Sequence, residues 1–166
     1  MILVAIGSNL PHPVYGAPLA VCEAAVEVLP DAACRVVSCS RWFRSSPVPA
    51  SDQPDFINGV ISVRTGLNPL ALLKKLHEIE AAFGRRRSVP NAARILDLDL
   101  LVYDQVITSG ESPPILPHPR LSERAFVLKP LLDVAPSWKH PVSGRLAEEL
   151  AAALPEGQKC VPIDPE

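Results

Sequence analysis

The chain has 166 residues, 48% of them hydrophobic and 20% charged, with a formal net charge of −2. That length suits one domain with a buried core, and the near-neutral balance gives no overall affinity for nucleic acid or a membrane surface. No apolar run approaches the roughly 20 residues of a membrane span, the N-terminus carries no basic leader, and four cysteines without a C-x-x-C pair suit a reducing compartment. A cytoplasmic protein is expected, monomeric and with no membrane or nucleic-acid partner. It should form a single domain over 1–166, with 155–166 a proline-rich tail and no room for a fused second domain.

Residues 2–6 read as a short buried strand running into Gly7-Ser8-Asn9, and a helix is expected from Ala17 to Leu29. Arg35 to Ser40 alternates loosely as a strand ahead of a proline loop at 47–54, and Phe56 to Thr65 is a second β-rich run. The next helix is the best marked. Asn68 is a natural N-cap, Pro69 suits the first helical position and Gly84 suits the C′ position. Between them Leu72, Leu76, Ile79 and Phe83 fall at helical spacing and predict the core stripe. Ile95 to Tyr103 is a strand, with Val106-Ile107 as its hairpin return. Short helical turns are expected around Leu121–Leu132 and a terminal helix over Arg145–Leu154. This order predicts an α+β fold, a mainly antiparallel sheet covered by helices on its faces.

Chemistry concentrates in Ile95-Leu96-Asp97-Leu98-Asp99-Leu100. Residues two apart in a strand share a face, so Asp97 and Asp99 point the same way, about 7 Å apart between Cα atoms. Two carboxylates at that distance repel by about 2 kcal/mol at an effective dielectric of about 20. A bound cation reverses that sign, and hard oxygen ligands favour Mg²⁺ bridging phosphates. Taken alone, the pair reads equally as one wet strand face. Gly84-Arg85-Arg86-Arg87 and Arg94 stand close by, and arginine clamps phosphate oxygens bidentately. A solvated basic helix end accounts for one or two of the triplet, but poorly for Arg94.

On the capped helix, Leu73, His77 and Glu80 form a column beside the core stripe that is able to face a nucleotide. In Leu116-Pro117-His118-Pro119 the flanking prolines restrict the backbone and so aim the His118 ring, and Arg124 adds a charge. Phe56 and Phe126 offer faces for a flat ring and Asn58 an amide for its polar edge, although core packing is the commoner fate of phenylalanine.

In order, Ile6-Gly7-Ser8-Asn9-Leu10, Phe43-Arg44-Ser45-Ser46-Pro47, Asp52-Gln53-Pro54-Asp55-Phe56-Ile57-Asn58 and Ile79-Glu80 before Gly84-Arg85 resemble one family. Arg94-Ile95-Leu96-Asp97-Leu98-Asp99-Leu100, Pro117-His118-Pro119 and Arg124-Ala125-Phe126-Val127-Leu128 continue the match, from residue 2 to about 136. The family is 6-hydroxymethyl-7,8-dihydropterin pyrophosphokinase, of folate biosynthesis. The resemblance implies a ferredoxin-like fold and the use of ATP with two Mg²⁺ ions to pyrophosphorylate the hydroxymethyl pterin, releasing AMP. By the same resemblance, Asp97 and Asp99 hold the metal, and Arg87 and Arg94 contact phosphate, with Arg85 in a mobile loop. Leu73, His77, Glu80, Ile115, His118 and Arg124 line the ATP site, and Ser45, Ser46, Val48, Phe56, Asn58 and Phe126 the pterin pocket.

Two departures stand out. Many relatives carry Trp-Gly-Pro ahead of the equivalent of Arg94, where this chain has Asn91-Ala92-Ala93, so the aromatic lid residue is missing. Pro49 also replaces a usual glycine and stiffens the pterin-side loop. Two other readings use fewer of these residues: a nucleotidyl transferase or cyclase built on the two aspartates, and a non-enzymatic ferredoxin-like module with a paired surface network.

Overall fold

Runs of aliphatic and β-branched residues at 2–8, 56–65 and 97–103 become the three central strands of the sheet. The computed structural model describes residues 1–85, 92–110 and 112–163. In chain order the elements are β1 (Ile2–Ser8), α1 (Pro18–Val28), β2 (Cys34–Cys39), β3 (Phe43–Ser45), β4 (Phe56–Thr65), α2 (Pro69–Ala82), β5 (Asp97–Tyr103), α3 (Ala125–Val134), α4 (Ala147–Ala152) and β6 (Cys160–Pro162). Single 3-10 turns at Pro30–Ala32 and Leu121–Glu123 lie between them. The sheet order is β5-β1-β4-β3-β6, β2 pairs with the other half of β4, and every ladder is antiparallel.

Strand alternation divides the core in two. Ile2, Val4, Ile6, Ile57, Ile61, Leu98 and Leu100 face α1 and α2, while Leu3, Val60 and Leu101 face α3 and α4. Helices therefore cover both faces of an antiparallel sheet, the ferredoxin-like α+β arrangement that the sequence implied.

Helix α2 follows its local signals at both ends. The Asn68 side chain accepts from the Ala71 amide at 2.9 Å, with Pro69 at the first helical position. At the other end Arg85 N donates to Glu80 O and Gly84 N to Ala81 O, each at 3.0 Å, with Gly84 at φ 83°. That pairing is the Schellman motif, which requires a left-handed residue at C′. Leu72, Leu76, Ile79 and Phe83 are buried as the stripe predicts.

Three expectations need correction. Val106-Ile107 forms no hairpin return, because the outer edge of β5 is already engaged: Leu98 N donates to Glu80 Oε1 at 2.7 Å and Leu101 O accepts from His118 N at 2.8 Å. The region 121–132 is one 3-10 turn and then a regular helix that carries Pro130 inside it. Burial of Val127, Leu128 and Leu131 offsets the hydrogen bond that proline removes. Third, part of the proline-rich tail is a strand, since Cys160–Pro162 pairs with Phe43–Ser45. No helix among the described residues is long and apolar enough to cross a membrane.

Candidate active site

The register of the central strands puts Gly7 opposite Asn58 on one side and Asp97 on the other. All three lie on the face covered by α3, at the strand ends where α3 begins. Gly7 eases the packing there: a Cβ would stand 3.2 Å from Asn58 Oδ1, a tight approach. With that space open, buried Asn58 points its amide to Ser45, and Nδ2 donates to Ser45 Oγ at 2.8 Å.

Around this row lies a cleft of about 560 Å³, open solvent included. All six residues expected in the pterin pocket line it (Ser45, Ser46, Val48, Phe56, Asn58 and Phe126), together with Gln53, Arg94, Asp97 and Arg124. A smaller cavity lined by Gly7, Asn58, Asp97, Asp99 and Phe126 continues it along β5. Asp97 borders both, so the cleft that Phe56 and Phe126 line opens onto a carboxylate.

Asp97 and Asp99 share one face of β5, as the two-residue period requires. Asp97 Oδ1 is held by Arg85 Nη1 at 2.5 Å and Oδ2 by Arg94 Nη1 at 2.6 Å. Asp99 has a longer contact, 3.7 Å to Arg124 Nη1. Burial, and then the charge of Asp97, push the Asp99 carboxyl up to about 6. Partial desolvation of two adjacent acids is a cost that a divalent cation would offset, so this pair fits a magnesium site. Among the described residues no cluster of three or more His, Cys, Asp or Glu side chains is arranged to hold a metal. Such a cation would take its other ligands from phosphate oxygens and water.

Arg124 joins several parts of the cleft. Its guanidinium lies 5.4 Å from the Phe126 ring centroid and contacts Asp99. Burial lowers its affinity for the proton, with Arg120 adding repulsion. The same burial, with Arg124 nearby, drives His118 down to about 4, so its ring is neutral near neutrality. Arg120 N donates to His118 Nδ1 at 3.2 Å, which leaves Nε2 to carry the hydrogen.

Glu80, expected in a column beside the core stripe that faces a nucleotide, is itself buried, 1% exposed. Its Oε1 accepts from Leu98 N and from Arg85 Nη1, joining the end of α2 to β5 and holding Arg85 toward Asp97. Leu73 and His77 are half-buried on α2 and Ile115 is exposed; these three lie outside the two cavities that contain Asp97. Arg87 and the Asn91 lid position lie outside the described residues.

Asn9 carries a positioning role that the sequence reading did not assign. Its Nδ2 donates to Gln53 Oε1 at 3.3 Å and Pro54 O at 3.2 Å, its Oδ1 accepts from Arg94 N at 2.8 Å, and its own N–H reaches Arg94 O. One buried amide thus ties the end of β1 to the 53–54 loop and to Arg94. The signal available was its place, in Gly7-Ser8-Asn9 directly after a buried strand.

Paired carboxylates crossed by arginines and opening onto a cleft, on a ferredoxin-like sheet, suit an enzyme that transfers phosphate groups. The family described as 7,8-dihydro-6-hydroxymethylpterin-pyrophosphokinase (HPPK) matches residues 3–136, and the chain belongs to it. A Pseudomonas aeruginosa 2-amino-4-hydroxy-6-hydroxymethyldihydropteridine pyrophosphokinase is 40% identical over 162 residues, 97% of this chain and 96% of that protein. The Pneumocystis carinii folic acid synthesis protein fol1 is 38% identical over 143 residues, 86% of this chain but 18% of the longer protein. Among solved structures, wild-type Plasmodium falciparum HPPK-DHPS aligns with a TM-score of 0.67 at 13% identity, over 91% of this chain and 44% of that one. An HPPK-DHPS in complex with substrates aligns with a TM-score of 0.70 at 12% identity, over 92% and 42%. Membership assigns the activity: pyrophosphoryl transfer to hydroxymethyldihydropterin, a step of folate biosynthesis.

Proposed function

We propose that ATP is the donor and that the group moved is its β,γ-pyrophosphate. The pterin's hydroxymethyl oxygen forms a bond to the β-phosphorus, the bond from that phosphorus to the α,β-bridging oxygen breaks, and AMP leaves. The hydroxyl proton is given up to water. The observation that carries this reading is the position of Asp97, which borders the ring-sized cleft and also receives Arg85 and Arg94.

On this reading Ser45, Ser46 and Val48 border the pterin, Phe56 and Phe126 stack on it, and Asn58 reads its pyrimidine edge. Arg94 and Arg85 exchange their contacts with Asp97 for triphosphate oxygens, a role shared with Arg87. Arg124 and neutral His118 donate to ATP from the α3 side, while Leu73, His77 and Ile115 flank its adenine. Glu80 acts on ATP through Arg85. Asp97 and Asp99 would hold two Mg²⁺ ions, whose chemistry is to neutralise charge on the transferred phosphates. The chain works as one domain over 1–166, as a monomer in the cytoplasm.

The test is nucleotide analysis after incubation with Mg²⁺, ATP and the hydroxymethyl dihydropterin. AMP should appear in step with pterin consumption and fall away when EDTA replaces Mg²⁺. ADP would contradict the proposal, as would inorganic pyrophosphate without pterin consumption, the mark of a cyclase or nucleotidyl transferase.

A further inference from the structure

The turn between β1 and α1 has a twin late in the chain. His12-Pro13-Val14-Tyr15-Gly16 and His140-Pro141-Val142-Ser143-Gly144 differ in only one residue type. They also fold alike except at the closing bond, where His12 N donates to Gly16 O at 2.8 Å but His140 N to Arg145 O at 2.9 Å. In each, histidine Nδ1 accepts from the amides two and three residues on, at 3.0 and 3.3 Å from Val14 and Tyr15, and at 3.3 Å from both Val142 and Ser143. In each, the glycine N donates to the histidine O at 2.8 Å, and the glycine is left-handed, at φ 86° and 69°.

This turn does not need an aromatic fourth residue, since an exposed serine fills it at 143, its Oγ accepting from Arg145 N at 3.4 Å. Tyr15, 40% exposed, is there for another reason. Its ring stacks on that of Phe83, with centroids 4.8 Å apart and planes at 17°. The His12 ring braces the pair, 4.8 Å from Tyr15 and 6.0 Å from Phe83. Phe83 is the C-cap of α2, and the next two residues are left-handed Gly84 and then Arg85. Arg85 is the residue whose guanidinium spans Glu80 and Asp97.

We propose that Tyr15 is a positioning residue for Arg85: stacked on Phe83, it fixes the end of α2 from which Arg85 reaches Asp97 and the phosphates. The inference rests on the reading of Arg85 as a phosphate-contacting group. Tyr15→Ser installs the residue that the twin turn already accepts, so the turn survives and only the stack is lost. Turnover should fall about two- to tenfold, the range open to one aromatic pair, with KM for the pterin unchanged. Tyr15→Phe keeps the stack and should restore the rate. His140→Ala, in the twin turn, should leave turnover as it was.

The deciding measurement is the double-mutant cycle. In an Arg85→Ala background, Tyr15→Ser should cost nothing further. An equal fold-loss in both backgrounds, or no loss from Tyr15→Ser alone, overturns the proposal. Should Arg85→Ala by itself turn over like the wild type, the reading of Arg85 fails, and the inference falls with it for that distinguishable reason.

Discussion

The two ends of the same three strands are built differently. At one end β1, β4 and β5 close on Ile2, Val63 and Tyr103, and the nearby charges meet in the open, as the Met1 amino group does with Asp104. At the other end the row is Asn58, Gly7 and Asp97. There the polar groups are buried or half-buried and crossed by Arg85, Arg94 and Arg124, and Asp99 and His118 are shifted in proton affinity. Exposed pairs contribute little to stability, whereas desolvated charges crowded together cost stability unless a ligand offsets them. The contrast marks the end of the sheet where a charged ligand would offset the cost of desolvation.

The largest effects should come from the charged end. Asp97→Asn and Asp99→Asn are each expected to lower kcat at least about a thousandfold, with circular dichroism and unfolding midpoint preserved. Near-normal turnover in both would erase the distinction between the ends. Asn58→Ala should raise KM for the pterin by about ten- to a hundredfold, with little change in KM for ATP, because one buried amide is lost and Ser45 is left without its donor. Asn9→Ala should lower kcat/KM about tenfold for both substrates, since it releases the 53–54 loop and Arg94 together. A change confined to one substrate would show that Asn9 braces only one of those segments.

Smaller effects concern pH. His118, driven down to about 4, must take up a proton on unfolding. Its contribution to stability is therefore complete above its unfolded value of about 6.5 and is lost as pH falls from there toward about 4. Asp99, pushed up to about 6, works in the opposite sense over the same window. The clean readout is thus the difference in unfolding midpoint between wild type and His118→Gln, which should shrink as pH falls from 7 to 4. At the open surface, Arg41 holds Asp133 through hydrogen bonds at 2.8 and 2.9 Å and depresses its carboxyl. That stability is present above about 3.9 and lost below it. Arg41→Ala should lower the midpoint slightly above pH 4, flatten its fall near and below pH 4, and leave turnover untouched.

Local physics was the legible part of the sequence. Asn68, Pro69 and Gly84 fix the ends of α2 through contacts within a few residues, so the sequence marks them directly. The shared face of Asp97 and Asp99 needs only the two-residue period of a strand. What escaped depends on distant partners. Cys160–Pro162 becomes a strand only because Phe43–Ser45 offers it an edge, and Pro130 sits inside α3 because the sheet buries its neighbours. The burial of Glu80 likewise depends on distant partners, since Leu98 N and Arg85 both reach its carboxylate. Family resemblance pointed to the six pterin-pocket residues that line the cleft but also to Leu73, His77 and Ile115, which lie outside it. The geometry adds how Gly7 leaves room for Asn58 and how Asn9 joins the 53–54 loop to Arg94.

The central claim, that both terminal phosphates move together at the end of the sheet holding Asp97, is tested most directly by phosphorus NMR of a completed reaction. ATP, Mg²⁺ and the hydroxymethyl dihydropterin should yield one new diphosphate ester carrying the former β and γ phosphorus atoms, with the α phosphorus recovered as AMP. A monophosphate ester with ADP would contradict the account, as would an unchanged pterin.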